Sequence, residues 1–236
     1  MLVPRHIAII MDGNNRWAKR KKLPAVSGHR AGVKALRRVI DSALELGIEY
    51  LTLYAFSVDN WKRSPKEVDS LMNLMRKFLH KDEKQLKDKG VRLIVIGRKD
   101  RVPDDILKKV DDLAAETADN HKLKLVIAFN YGARSEIVDA AAKIINDVLK
   151  GKLKAGDIDE EGFGSYLYTA GIPDPDMLIR TSGEMRLSNF LLWQISYTEL
   201  WVTPVLWPDF GKKDLIAAVK ELNHRQRRYG GRKNGD

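Results

Sequence analysis

Near the start of the chain an apolar run, Ile7 to Met11, stops at an acid, a glycine, two asparagines, an arginine and a tryptophan: Asp12-Gly13-Asn14-Asn15-Arg16-Trp17. This pattern predicts a strand, a tight turn and a helix. A glycine at such a turn permits positive φ or close backbone approach, and the free N–H groups of a helix start suit an anion. A bare carboxylate would repel a phosphate there, and a divalent cation resolves the conflict. Mg²⁺ prefers hard oxygen ligands, often one or two carboxylates together with substrate phosphates. Gly13 to Arg16 would then offer amide and guanidinium donors to a phosphate while Asp12 holds the metal. The same residues also fit an ordinary turn with Asp12 as N-cap and Arg16 as a solvated charge, and this segment by itself does not choose.

The elements that must position these residues alternate. After a short basic helix, Asn14 to Lys22, the break at Leu23-Pro24 leads into a long amphipathic helix opening at Ser27-Gly28-His29 and capped by Gly47. Strands are predicted at Tyr50 to Phe56, Val91 to Ile96, Leu123 to Asn130, Met177 to Arg180 and Glu199 to Thr203. Helices are predicted from Ser64-Pro65, from Pro103 to about Asn120, at Ser135 to Leu149, Glu160 to Ala170, Ser188 to Gln194 and Asp214 to Arg227. Nearly continuous apolar strands alternating with helices imply a parallel sheet covered on both faces, an α/β fold in one domain spanning 1–236.

Composition bounds the function. The chain has 236 residues, enough for a large core, and no cysteine, which excludes disulfides and thiolate chemistry and suits a reducing compartment. No secretory leader precedes the first strand, and the late apolar segment Leu187 to Trp207 is too often interrupted by polar residues for a membrane span. A net charge of +10 leaves nucleic acid, an anionic membrane surface and phosphate-rich small substrates open as partners. Much of the excess lies in Arg16 to Lys22 and Arg225 to Arg232. No RNP, zinc-finger or helix-turn-helix signature supports nucleic acid, and neither GxxxxGK[ST] nor GxGxxG occurs.

In open parallel sheets ligands bind beyond the carboxyl ends of the strands. Asp12, Ser57 to Arg63, Asn130 to Arg134 and Arg180 to Arg186 would gather at that edge. One acid suited to a metal, several arginines suited to forked phosphate contacts, and small or amide side chains that can donate hydrogen bonds converge there as a candidate site.

Six ordered motifs carry a resemblance along almost the whole chain. They are His6 to Ala18; Gly28-His29 with Gly32; Tyr54-Ala55-Phe56-Ser57 with Asn60-Trp61 and Arg63; Phe129-Asn130-Tyr131-Gly132 with Arg134; Ile179-Arg180-Thr181-Ser182-Gly183-Glu184 with Arg186; and Ser188 to Gln194 through Trp207-Pro208-Asp209-Phe210. The chain resembles the cis-prenyltransferases, the undecaprenyl diphosphate synthase family. The resemblance implies a six-stranded, mainly parallel sheet enclosing an elongated apolar tunnel. It also implies a Mg²⁺-dependent condensation of isopentenyl diphosphate onto an allylic diphosphate such as farnesyl diphosphate, giving a Z-polyprenyl diphosphate of the undecaprenyl kind. A homodimer is implied, cytoplasmic, with peripheral membrane contact through its lipid product and no nucleic-acid partner.

By position, Asp12 matches the catalytic, metal-binding aspartate. Gly13, Asn14, Arg16 and His29 match the allylic diphosphate pocket, with Asn15 and Trp17 counted beside them as substrate-binding. Arg180, Arg186 and Ser188 match the isopentenyl diphosphate pocket. Ser57, Asn60, Trp61 and Arg63 match a mobile segment that closes over the site and orients the substrates, Asn60 as a catalytic residue. Glu199 matches an acid associated with the metal or the dimer edge. The chain departs from the family pattern at Asn15, Asp59 and Ala25, where glycine, glutamate and arginine are usual. Leu44, Leu53, Met72, Met75, Leu123 and Val126 are candidates to line the tunnel. The basic, Gly-rich tail, residues 228–236, resembles an Arg-x-Gly ending that reaches across the dimer to the partner's site. An accessory subunit of this fold would lack the aspartate that this chain keeps as Asp12.

Overall fold

The first strand, β1 (His6–Ile10), is buried along its whole length. Its alternate residues serve two separate cores: Ile7 and Ile9 join one, Ala8 and Ile10 the other. Such a strand needs helices on both faces. The computed structural model describes residues 2–225 and supplies them. The chain continues through α1 (Asn14–Arg20), α2 (Ala25–Leu46), β2 (Tyr50–Ser57), α3 (Pro65–Asp88), β3 (Val91–Ile96), α4 (Asp104–Glu116), β4 (Leu123–Tyr131), α5 (Ala133–Leu149), α6 (Glu160–Gly164), β5 (Met177–Arg180), β6 (Glu199–Val202) and α7 (Lys212–His224).

The six strands form one sheet in the order β3-β4-β2-β1-β5-β6, and every neighbouring pair is parallel. This is the single α/β domain expected. Apolar faces of α2, α3, α4 and α7 bury against one side, through residues such as Val39, Phe78, Leu113 and Val219. The other side is covered by α5 and by Phe190, Leu191 and Ile195. The chain leaves β1 towards β2 on one side and leaves β5 towards β6 on the other. The crevice between the carboxyl ends of β1 and β5 is therefore the point where the winding reverses, the place where such sheets bind ligands.

Several helices differ in their bounds by two to four residues, and two differ more. The long second helix begins at Ala25, with Pro24 as N-cap, rather than at Ser27. Only Glu160–Gly164 of the predicted Glu160 to Ala170 helix is helical. Ser188 to Gln194 is not a helix: Ser188, Asn189 and Leu191 take φ of 49°, 61° and 48°. The cause lies in α5, which Gly132 leaves without a side-chain cap of its own. Asn189 supplies one, its Oδ1 accepting from Arg134 N at 2.9 Å and its carbonyl from Ala133 N at 2.9 Å. The last helix runs Lys212–His224 rather than Asp214 to Arg227, with Arg225 already extended, and the tail, residues 228–236, lies outside the described residues.

Candidate active site

Beyond the carboxyl ends of the strands lies a polar cavity of about 570 Å³. β1 and the turn after it contribute Asp12 and Asn14, α2 contributes His29, the segment after β2 contributes Ser57, Asp59, Asn60 and Arg63, and the segment after β5 contributes Arg186, Ser188 and Asn189. Arg180, the last residue of β5, also lines it.

Asp12 and Arg180 span the crevice. Arg180 Nη2 donates to Asp12 Oδ2 at 2.8 Å, and Arg16 Nη2 stands 3.7 Å from the same oxygen. Backbone bonds fasten Asp12: its N–H donates to Thr181 Oγ1 at 2.9 Å, and that hydroxyl donates to the Asp12 carbonyl at 2.7 Å. Burial works against ionisation of Asp12, but the hydrogen bond and charge of Arg180, with Arg16 behind, hold its carboxyl below the usual range. Arg180 Nη1 donates to Ser188 Oγ at 2.7 Å and to the Arg186 carbonyl.

Gly13 has φ of 110°, and a Cβ there would stand 2.9 Å from Leu206 Cδ2 and 3.1 Å from Ser182 Cβ. Only glycine fits this turn without strain. Arg16 sits at the rim, donating to the Ser182 carbonyl at 3.0 Å and Ser182 Oγ at 2.5 Å, with Glu184 Oε1 at 3.0 Å. Glu184 also pairs with Arg186. An arriving diphosphate would compete with this carboxylate for two guanidiniums.

His29 Nε2 lies 4.0 Å from Glu67 Oε1, and Arg63 donates to the same oxygen at 2.8 Å. Burial, and then the Arg63 charge, push the imidazole below its ordinary value against the pull of Glu67. Ser57 and Asn60 cap their own turn: Ser57 Oγ accepts from Asp59 N at 3.1 Å and Asn60 Oδ1 from Ser57 N at 3.0 Å.

Six predicted site residues do not line the cavity: Gly13 and Arg16, which stand at its edge, and four that lie farther from it. Asn15 is exposed on α1. Trp17 turns outward, its Nε1 donating to Asp209 Oδ1 at 2.7 Å. Trp61 lies behind its segment, edge-on to Phe56 at 5.0 Å and donating to Asn130 Oδ1 at 2.7 Å. Glu199 opens β6 in register with Met177, which in turn pairs with Ile7, so it lies at the amino ends of the strands. It pairs with Arg225 at 2.9 Å. Glu199, matched to an acid of the metal or the dimer edge, is therefore separated from Asp12 within the chain by the length of the sheet.

Sequence reasoning left Tyr54, Asp59 and Asn189 out of the site, although all three line the cavity. The Tyr54 phenol, pushed up to about 12 by burial, donates to the Tyr131 carbonyl at 3.1 Å. The motif Tyr54-Ala55-Phe56-Ser57 was the available signal for it. Asn189 was hidden by the predicted helix.

An apolar cavity of about 110 Å³ adjoins the polar one, between α2, α3 and the sheet. Met11, Asn14, His29, Tyr54, Ala55 and Leu71 line both. Of the residues predicted to line a tunnel, Met75 lines this cavity, with Leu36, Phe78 and Phe129. Leu53, Met72 and Leu123 are core residues outside it, Leu44 packs against the same core, and Val126 faces the opposite side of the sheet.

The metal question turns on Asp12. Among the described residues no group of three or more His, Asp or Glu side chains could cage an ion. The donor set instead suits Mg²⁺ held by a single carboxylate and the oxygens of a bound diphosphate. Both guanidinium contacts of Asp12 fall on Oδ2.

The undecaprenyl diphosphate synthase (Prenyltransf) family model matches residues 10–230. The isoprenyl transferase of Heliobacterium mobile is 52% identical over 229 residues, covering 97% of this chain and 88% of that protein. That of Thermotoga maritima is 47% identical over 235 residues, covering both chains fully at 100%. The crystal structure of lavandulyl diphosphate synthase from Lavandula x intermedia, in complex with dimethylallyl diphosphate, matches with a TM-score of 0.93 and 40% identity, over 96% of this chain and 98% of that one.

Proposed function

The chain belongs to the undecaprenyl diphosphate synthase family of prenyltransferases, and from that premise we propose that it condenses isopentenyl diphosphate with an allylic diphosphate such as farnesyl diphosphate. The product on this reading is a Z-polyprenyl diphosphate of the undecaprenyl class. The observation that carries it is the junction of a polar cavity, walled by Asp12, His29, Arg180 and Arg186, with an apolar one through shared residues. One end suits a diphosphate and the other a hydrocarbon. The dimethylallyl diphosphate bound to the lavender enzyme supports an allylic diphosphate as the substrate class.

Gly13, Asn14, Arg16 and His29 hold the allylic diphosphate, and Arg180, Arg186 and Ser188 hold isopentenyl diphosphate, the guanidiniums forking onto phosphate oxygens. Asp12 would hold a Mg²⁺ ion, which when bound would supply positive charge to a departing diphosphate. Preorganised donors stabilise that charge most where it develops. Ser57, Asn60 and Arg63 orient the two substrates over the crevice, while Met75, Phe78 and Phe129 keep water from the growing chain. The enzyme works as a cytoplasmic homodimer that meets the membrane through its lipid product. Among the described residues no helix is long and apolar enough to cross a membrane.

The test is an assay of purified protein with magnesium, labelled isopentenyl diphosphate and farnesyl diphosphate, the product being sized by chromatography. Chelation should abolish turnover and added Mg²⁺ restore it. Asp12→Asn, which keeps an acceptor for Arg180 but removes the charge, should lower kcat on the order of 100-fold or more. Activity that survives chelation would remove the metal, and an absence of any prenyl product would overturn the reading.

A further inference from the structure

No residue of the Phe129-Asn130-Tyr131-Gly132 motif lines the polar cavity, yet the motif stands between the two loops that enclose it. Asn130 is 2% exposed with φ of 50°, a conformation asparagine tolerates better than most residues. Its Oδ1 accepts from Trp61 Nε1 at 2.7 Å, which ties it to the 57–63 loop. Its Nδ2 donates to the carbonyls of Arg98 at 3.0 Å and Asp100 at 2.8 Å. The same stretch of backbone holds Arg101, whose guanidinium lies 4.5 Å from the centre of the Trp61 ring. Trp61 is thus gripped from below and from the side.

On the other flank the turn meets the 186–189 loop. Ala133 N and Arg134 N donate to the carbonyl and to Oδ1 of Asn189, both at 2.9 Å. Between the flanks lies Gly132. A Cβ there would stand 2.6 Å from Val58 Cγ2 of the first loop and 2.7 Å from Asn189 Nδ2 of the second. The two loops therefore both close on the space that a β-carbon of residue 132 would occupy, leaving no room for a methyl group.

We infer that the Asn130–Gly132 turn is a positioning element that sets the spacing of the two loops enclosing the diphosphate cavity. Asn130 holds the 57–63 loop through Trp61, and Gly132 lets Val58 and Asn189 close on the space a side chain would take. The inference rests on the condensation proposed above, in which Ser57 and Asn60 on one loop and Arg186 and Ser188 on the other serve a reaction between two substrates. Joining two bound molecules is sensitive to displacements of about 1 Å, on the order of 100-fold in rate, whereas each molecule alone needs only its own contacts. A change in spacing should therefore lower kcat and leave the separate affinities in place.

Gly132→Ala tests this. Its kcat for polyprenyl formation should fall at least about 30-fold, while isopentenyl diphosphate and farnesyl diphosphate, each titrated alone by calorimetry, bind within about threefold of wild type. Adding Val58→Ala to Gly132→Ala removes the nearer clash and should restore kcat roughly tenfold; Val58→Ala alone should be close to wild type. Asn130→Gly keeps the left-handed backbone and deletes the side chain, so it provides a second route to the same result. It should show the same split between kcat and affinity, and Trp61→Phe added to it should cost nothing further, because the shared bond is already gone. Unchanged kcat in Gly132→Ala would overturn the inference, as would a loss that follows the melting temperature and is not rescued by Val58→Ala. Weakened binding of one substrate by the full factor would do so too, since it would make the turn a binding element. A wild-type protein without product would overturn the condensation itself, and this inference with it.

Discussion

Asn14, His29 and Arg180 each keep one buried polar atom without a partner, Oδ1, Nε2 and Nε respectively, and all three residues line the polar cavity. A buried polar atom left unpaired costs about 1–3 kcal/mol, a cost usually met by a ligand or water that completes the bond. The His29 imidazole is the informative one, because burial and Arg63 hold its pKa below the ordinary 6.5 and keep it neutral at pH 7. An allylic diphosphate beside it would raise that pKa, so binding should take up a proton and strengthen as the pH is lowered from the alkaline side. His29→Gln cannot take the proton and should show a shallower slope. The diphosphate's own protonation is common to both proteins and cancels in the comparison. Equal slopes by calorimetry would remove His29 from the pocket.

Among the elements, α2 and α3 wall the apolar cavity, and their relative position is held at a buried ion pair. Arg37 Nε and Nη2 donate to Asp82 Oδ1 and Oδ2 at 2.6 and 2.9 Å. Asp82 is 4% exposed, but the Arg37 side chain is 37% exposed and can turn to water when its partner is lost. Asp82→Ala should therefore cost about 1–2 kcal/mol, less than a fully buried pair. The corresponding fall in melting temperature is roughly 2–8 °C for a chain of this size. Unaltered thermal unfolding would show the pair to be energetically neutral. The short α1 is positioned differently: the Trp17 indole bonds Asp209, beyond the last strand, and this turns Arg16 towards Ser182 and Glu184. A residue chosen for its place in a motif can thus support the site from outside it.

Across the whole molecule the sheet has two distinct ends. The site occupies the carboxyl end, and the amino end is closed by His6, whose Nδ1 donates to the Pro173 carbonyl at 2.6 Å and whose Nε2 accepts from Thr52 Oγ1 at 2.7 Å. Burial lowers its pKa from 6.5 to about 4, so the unfolded chain binds a proton that the folded one refuses. The resulting stabilisation is complete above about pH 6.5 and is lost as the pH falls towards 4, by up to about 3 kcal/mol in total. Guanidinium unfolding at about pH 7 and pH 4.5 should show a larger loss in wild type than in His6→Gln, and equal losses would place the acid sensitivity elsewhere. What the sequence by itself determined was local. Apolar periodicity and the punctuation of Gly, Pro and polar runs located six strands and the main helices, and showed that Asp12, Ser57, Arg180 and Arg186 stand at or just past strand ends. A parallel sheet then brings them to one edge. The tertiary structure alone decided which partners meet. It set the strand order that opens the crevice between β1 and β5, and it gave Asn189 to the start of α5 instead of to a helix of its own. It also turned Trp61 onto Asn130, placed Glu199 at the far end of the sheet from Asp12, and left Met75 rather than Leu53 or Val126 in the apolar cavity. Those outcomes depend on contacts between residues far apart in the chain, whose energies exist only once the sheet has formed and so leave no periodic trace in the sequence.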